Sequence, residues 1–154
     1  VVNNLRVDLK KGVSIETKLN KNDQKDDNGI EIDADKARIS QVLNNIVGNA
    51  IKFTNGGVIR VESNVFPDQN KIEIKISDTG TGISEEIVPK LFGKFVTESA
   101  NNENKQGTGL GLFISKAIIT AHKGEITGYN NRDERGATFT IVLPINTDNS
   151  MVRK

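Results

Sequence analysis

Gly107-Thr108-Gly109-Leu110-Gly111-Leu112 opens the apolar run 110–121 of this 154-residue chain, and its reading decides what kind of fold surrounds it. Three alternating glycines at the mouth of an apolar helix leave main-chain N–H groups bare and a positive dipole end facing outward, an arrangement that accepts an anion. The sequence contains no Gly-x-x-x-x-Gly-Lys-Ser/Thr run, which excludes the P-loop. A dinucleotide fingerprint needs a strand directly before the glycines, whereas residues 101–106 are polar. What remains is a flexible loop entering a helix that starts near Gly109.

A second glycine pair stands in Asp78-Thr79-Gly80-Thr81-Gly82, after an alternating strand at 71–77. Residues 58–65 alternate as well, and Pro67-Asp68-Gln69-Asn70 between the two runs is turn chemistry, so they pair as an antiparallel hairpin. Upstream, Asp35 starts a helix in which Ile39, Val42, Leu43, Ile46, Val47, Ala50 and Ile51 keep the three-four spacing of one buried face. Thr54-Asn55-Gly56-Gly57 is expected to end it as a left-handed stop. Residues 13–19 and the brief Gly29-Ile30-Glu31-Ile32-Asp33 read as strands on either side of a polar loop. Ser84-Glu85-Glu86 is expected to cap a short helix running towards Leu91-Phe92. Residues 96–106, polar and asparagine-rich, read as a mobile lid, and 124–129 with 137–143 form a closing hairpin around Asn130-Asn131-Arg132-Asp133.

Composition narrows the function without choosing it. The 21 basic and 20 acidic residues nearly cancel, so net charge favours neither a nucleic acid nor a membrane surface as partner. With no cysteine, disulfides, thiolate metal sites and thiol nucleophiles are excluded, and a reducing compartment is permitted. No apolar run approaches the roughly 18 residues of a membrane helix, and Val1-Val2-Asn3-Asn4 is no secretion signal. The chain reads as soluble and cytoplasmic. It begins at valine with its only methionine at Met151, and so is expected to be a piece of a longer polypeptide.

On the first long helix Asn45, Asn49 and Lys52 fall within about 60° of one another at about 100° per residue, beside the apolar stripe. Asparagine is a poor helix former, because its amide competes for backbone hydrogen bonds. That edge is either a solvated face or a polar wall of a pocket. Asp78 likewise either initiates an ordinary turn or presents its carboxylate where the following glycines let a ligand lie against the peptide plane.

Taken in order, these segments resemble the ATP-binding catalytic domain of sensor histidine kinases, within the GHKL superfamily that also holds gyrase, a heat-shock chaperone and the MutL repair ATPases. The resemblance covers about residues 33–143. Residues 45–54 look like the N box, 78–82 like the first glycine box, 91–95 like the F box and 107–112 like the second glycine box. Gly136-Ala137-Thr138-Phe139-Thr140 resembles the last strand, whose threonine faces the nucleotide in that family.

The resemblance implies an α/β, two-layer sandwich, the Bergerat fold, with a mixed sheet of about five strands covered on one face by about three helices. It implies ATP and Mg2+ as cofactors. Asp78 would accept from the adenine amino group, which guanine replaces with a carbonyl. Asn49 would ligate magnesium, a hard ion that takes oxygen ligands and bridges phosphates. Lys52 would reach the phosphates and Phe53 would lie near the adenine or ribose. Gly80, Gly82, Ile83, Lys94, Phe95, Gly107, Thr108, Gly109, Leu110, Gly111, Leu112 and Thr138 complete the implied nucleotide-binding set. Asn45 is the implied catalytic position. The superfamily's hydrolases carry a glutamate there to activate water, and an amide cannot take that proton. Phosphoryl transfer needs mostly positioning and charge neutralisation, which favours a kinase over a hydrolase.

The F box departs from the family pattern at Gly93, Val96 and Thr97. His122 ends a helix before Lys123-Gly124 and reads as a structural C-terminal cap, not as a phosphoacceptor. The expected organisation is therefore a connector at 1–11, a catalytic domain at 12–146 and a tail at 147–154. The expected partners are a histidine-bearing dimerisation domain of the same parent and a response regulator, with no nucleic acid and no membrane contact. The piece alone is expected to be monomeric and unable to label itself. Rival readings are a serine kinase of the anti-sigma type, a regulatory nucleotide-binding module without transfer activity, and a chaperone or repair ATPase, which would need the missing glutamate.

Overall fold

The computed structural model describes residues 9–19, 32–97 and 107–145. The proposed connector before Leu9, most of the brief strand at 29–33, the lid positions 98–106 and the tail at 147–154 lie outside the described residues. Ile32 and Asp33, which are described, belong to no strand.

Five strands form one mixed sheet. They are β1 (Val13–Leu19), β2 (Gly57–Phe66), β3 (Lys71–Asp78), β4 (Glu125–Asn130) and β5 (Ala137–Pro144), in spatial order β1-β2-β3-β5-β4. β1 runs parallel to β2, and every other neighbouring pair is antiparallel. Both expected hairpins form. Register sends Ile59, Val61, Ile76, Phe139, Ile141 and Ile126 to one face, where all six are buried. Strand side chains alternate, so the other face carries Arg60, Glu73 and Lys75. Arg60 there meets Glu16 at 3.5 Å and Glu134 at 3.4 Å, exposed pairs that contribute little stability.

Two helices, α1 (Lys36–Phe53) and α2 (Gly111–Ala121), cover the apolar face. Asp35 caps α1, its Oδ1 accepting from the N–H groups of Ala37 at 2.9 Å and Arg38 at 3.1 Å. The stripe Val42, Leu43, Ile46, Val47, Ala50 and Ile51 is buried, as its spacing requires. Ile46 of α1, Ile119 of α2 and Ile59, Ile76 and Ile141 of the sheet are almost wholly removed from solvent, each contributing about 1.5–3 kcal/mol by transfer from water.

Two local expectations are corrected. Helix α1 does not end in a left-handed stop, because Thr54 is extended (φ −100, ψ 116). Its terminal carbonyls are satisfied from elsewhere in the chain. Lys10 Nζ donates to the Lys52 carbonyl at 2.8 Å, and the Thr81 N–H donates to the Phe53 carbonyl at 3.2 Å. The expected third helix is a single 3-10 turn, Val88–Lys90. Pro89 supplies no N–H there and its ring opposes a preceding helical turn, so the i→i−4 ladder cannot continue. No helix among the described residues is long and apolar enough to cross a membrane.

Candidate functional site

β3 delivers Asp78 to the end of the sheet that α1 and α2 enclose. The residue is only 6% exposed. Its Oδ1 accepts from the N–H of Gly80 at 2.8 Å and from that of Ala137 at 3.4 Å. Oδ2 has no partner among the described residues, and Asp78 lines a cavity of about 250 Å3. Burial raises the pKa of Asp78 above its ordinary value of 3.8, opposed by the hydrogen bonds from Gly80 and Ala137. The site thus holds a carboxylate with one oxygen fixed and the other available.

The two glycines around Asp78 are demanded by close approach. A Cβ at Gly80 would strike the Phe53 carbonyl oxygen, and one at Gly136, where φ is +100, would strike the Asp78 carbonyl oxygen. These contacts press the first glycine loop onto the last turn of α1 and onto the start of β5.

Helix α1 presents Asn49, Lys52 and Phe53 to the same cavity. Lys52 Nζ lies 5.0 Å from the Phe53 ring centroid. Gly107, Thr108, Gly109, Gly111 and Leu112 line it as well, Gly107 lying beside Lys52. Helix α2 starts at Gly111, and Leu110 before it gives no side-chain cap. The first main-chain hydrogen bond of the helix is from the Ile114 N–H to the Leu110 carbonyl, so the N–H groups of Gly111, Leu112 and Phe113 have no intrahelical acceptor. Open donors at a helix start beside a lysine favour an anion. Asp78, Gly82 and Ile83 line the same cavity.

Several sequence-predicted residues lie elsewhere. Asn45 does not line the cavity; its Nδ2 donates to the Gly111 carbonyl and to Ser115 Oγ, each at 3.3 Å, bracing α1 against the first turn of α2. Gly80 and Leu110 are not among the lining residues. The side chain of Phe95 is 71% exposed, while its backbone packs on Gly109, where a Cβ would come 2.6 Å from the Phe95 carbonyl carbon. Lys94 Nζ is 5.0 Å from the Phe113 ring centroid, outside the lining. Thr138 is also outside: its Oγ1 donates to Asn131 Oδ1 at 2.7 Å. Strand alternation makes its neighbours Ala137 and Phe139 the lining residues of β5.

Sequence reasoning missed the apolar wall of Ala50, Ile87, Leu91 and Phe139, together with Val96 and Thr97 at the mouth. The alternation that identified β5 carried the signal for Phe139. Ile87 and Leu91 gave no local sign, since the 3-10 turn brings them round.

A cavity lined by a buried carboxylate and by the uncapped start of a helix is accompanied by a match in sequence. A family model described as "Histidine kinase-, DNA gyrase B-, and HSP90-like ATPase" covers residues 34–147. The chain belongs to that family. Among the family's members, the sensor histidine kinase WalK of Bacillus subtilis is 38% identical over 117 residues, which are 75% of this chain and 19% of WalK. The catalytic domain of the histidine kinase ThkA superposes with a TM-score of 0.68 at 32% identity, over 86% of this chain and 79% of that domain. Full-length ShkA in complex with AMPPNP superposes with a TM-score of 0.69 at 27% identity, over 87% of this chain and 26% of ShkA. The chain spans between 11% and 21% of the length of four curated relatives that it matches, all named as kinases of signal transduction or sensing. Within the family, the two-layer sandwich with its mixed five-stranded sheet is that of the histidine kinase catalytic domains.

His122, the single histidine, is remote from the cavity lining. It is the C-cap of α2, and its ring nitrogens face the Ile118 carbonyl and the Asp35 N–H.

Proposed function

We propose that this chain is the catalytic domain of a two-component sensor histidine kinase, which binds ATP with Mg2+ and delivers the γ-phosphoryl group to a histidine outside the chain. The observation that carries the reading is Asp78. Asp78 lines the same cavity as Asn49 and the start of α2, and only its Oδ1 has hydrogen-bond partners among the described residues. An ionised carboxylate accepts from an exocyclic amino group and repels a carbonyl, so the base is adenine. Gly82, Ile83, Ala137 and Phe139 supply apolar walls for its faces.

Lys52 and the open N–H groups of Gly111, Leu112 and Phe113 neutralise the phosphates. Asn49 would supply a side-chain oxygen to a hard divalent ion held with the phosphates. Bound MgATP supplies the transferable phosphoryl group. Asn45 holds the first turn of α2 at the distance that keeps those N–H groups aimed inward; as an amide it removes no proton from water. Transfer therefore depends on alignment with an acceptor rather than on a base in this domain.

In the parent protein, residues 1–11 connect to a dimerisation domain that bears the acceptor histidine, 12–146 form the catalytic unit and 147–154 a tail. A response regulator takes the phosphoryl group onwards. The test is incubation of this chain with radiolabelled ATP, Mg2+ and the separately produced dimerisation domain. Label on a histidine of that domain, and none on this chain alone, is the expected result. Label on serine of an added protein would instead favour an anti-sigma-type kinase.

A further inference from the structure

Asn130 is the last residue of β4 and stands opposite Ala137 in the β4–β5 pairing. Its side chain grips the main chain of Ile83. Oδ1 accepts from the Ile83 N–H at 2.7 Å, and Nδ2 donates to the Ile83 carbonyl at 2.7 Å. A primary amide used in this way copies an opposed strand residue, giving one donor and one acceptor to a single partner. Among the described residues no main-chain hydrogen bond holds Ile83. The fit is close, for a Cβ at Gly82 would come 2.9 Å from Asn130 Oδ1.

Ile83 and Ala137 both line the cavity, and the Ala137 N–H also reaches Asp78 Oδ1. Asn130 therefore joins two walls, one through its side chain and the other through strand pairing. Both flank the carboxylate that selects the base. Both side-chain hydrogen bonds of Asn130 go to Ile83 and neither to α2.

We propose that Asn130 is a positioning residue for base recognition: its amide sets the height of the Ile83 side chain against the purine and so sharpens the choice of adenine made at Asp78. The inference rests on the ATP-pocket reading. Without the amide, Ile83 is no longer tied to β4, and the base loses the wall that keeps its amino group in line with Asp78 Oδ2. Binding energy is lost from the base end and not from the phosphate end.

The experiment compares Asn130→Ala, which removes both hydrogen bonds, with Asn130→Asp, which keeps the shape and the acceptor but loses the donor. MgATP and MgGTP affinities are measured for the whole chain by competition against a fluorescent ATP analogue, and exchange of the Ile83 amide hydrogen is followed by NMR. Asn130→Ala is expected to speed that exchange and to weaken ATP roughly five- to tenfold, the worth of one or two hydrogen bonds. GTP, which also lies against Ile83 but gains nothing from alignment with Asp78, weakens less, so the ATP-to-GTP preference falls. Asn130→Asp shows a smaller fall in the same direction. ATP and GTP weakening by equal factors in both variants, with the preference unchanged, would reduce Asn130 to a general structural role and overturn the proposal. So would unchanged ATP affinity with a deprotected Ile83 amide. Wild-type protein that binds no ATP defeats the pocket reading itself, a result separate from either.

Discussion

Nε2 of His122 accepts a hydrogen bond from the main-chain N–H of Asp35 at 3.0 Å. The opposite ring nitrogen, Nδ1, donates to the Ile118 carbonyl at 2.8 Å, which fixes the tautomer. One imidazole thus ties the residue that caps α1 to the last turn of α2. The two helices that line the cavity are held together at their far ends by this contact, and nearer the cavity by Asn45.

His122→Ala should therefore lower stability by roughly 1–2 kcal/mol, the loss of two partly exposed hydrogen bonds. Urea unfolding checks this. ATP affinity of the folded variant should be unchanged, since the ring is not in the cavity lining, and transfer to a separate acceptor domain should persist.

Asp78→Asn keeps an acceptor for the Gly80 and Ala137 N–H groups and removes the charge. ATP binding should weaken by roughly 1.5–3 kcal/mol as a charge-assisted hydrogen bond is lost. Stability without ligand should hold or rise, because a buried charge no longer has to be accommodated. Calorimetry with MgATP and thermal unfolding of the same samples read the two effects, and a variant that binds ATP normally would sink the assignment of the base site.

The pH dependence follows from the raised pKa of Asp78. The folded chain holds this proton more tightly than the unfolded chain, so ionisation costs stability at all pH values above the folded pKa. The cost is relieved as pH falls from that raised value towards the ordinary 3.8. Wild type should therefore gain stability relative to Asp78→Asn on acidification through this window. ATP affinity should move the other way, falling as protonation removes the acceptor. Titrating both proteins in parallel cancels ionisation of the nucleotide and of other carboxylates.

Asn49→Ala should abolish the dependence of nucleotide binding on magnesium. Binding isotherms with Mg2+ and with a chelator, superimposable in the variant and distinct in the wild type, are the expected result. An unaltered magnesium effect would remove Asn49 from the metal site.

Gly136→Ala places a methyl group against the Asp78 carbonyl oxygen at a φ of +100. Strain and overpacking together should cost roughly 2–5 kcal/mol. Chemical denaturation measures it, and a cost below about 1 kcal/mol would mean that the β4–β5 turn relaxes freely.

Helix α1, both hairpins and the loop before α2 were legible in the sequence, because three-four spacing, alternation and turn residues are local consequences of burying one face. Asp78, Asn49 and Lys52 were legible as candidates because polar groups beside an apolar stripe or at a strand end need an account. The third helix was misread, since Pro89 overrides the cap at Ser84. On β5 the resemblance points to Thr138, whereas alternation puts Ala137 and Phe139 on the face that the helices cover, and these two line the cavity. Asn130 and Asn131 looked like turn residues, yet their amides bond to Ile83 and to the Asp78 carbonyl, 47 and 53 positions away.

By itself, then, the order of residues determined which segments fold and which groups are available for an adenine nucleotide. Tertiary structure alone decided which of those groups share one cavity and which brace it. The physical reason is range: periodicity and capping act within a few residues, whereas the partner of a side-chain amide is set by how β4, β5, α1 and α2 pack across the sheet.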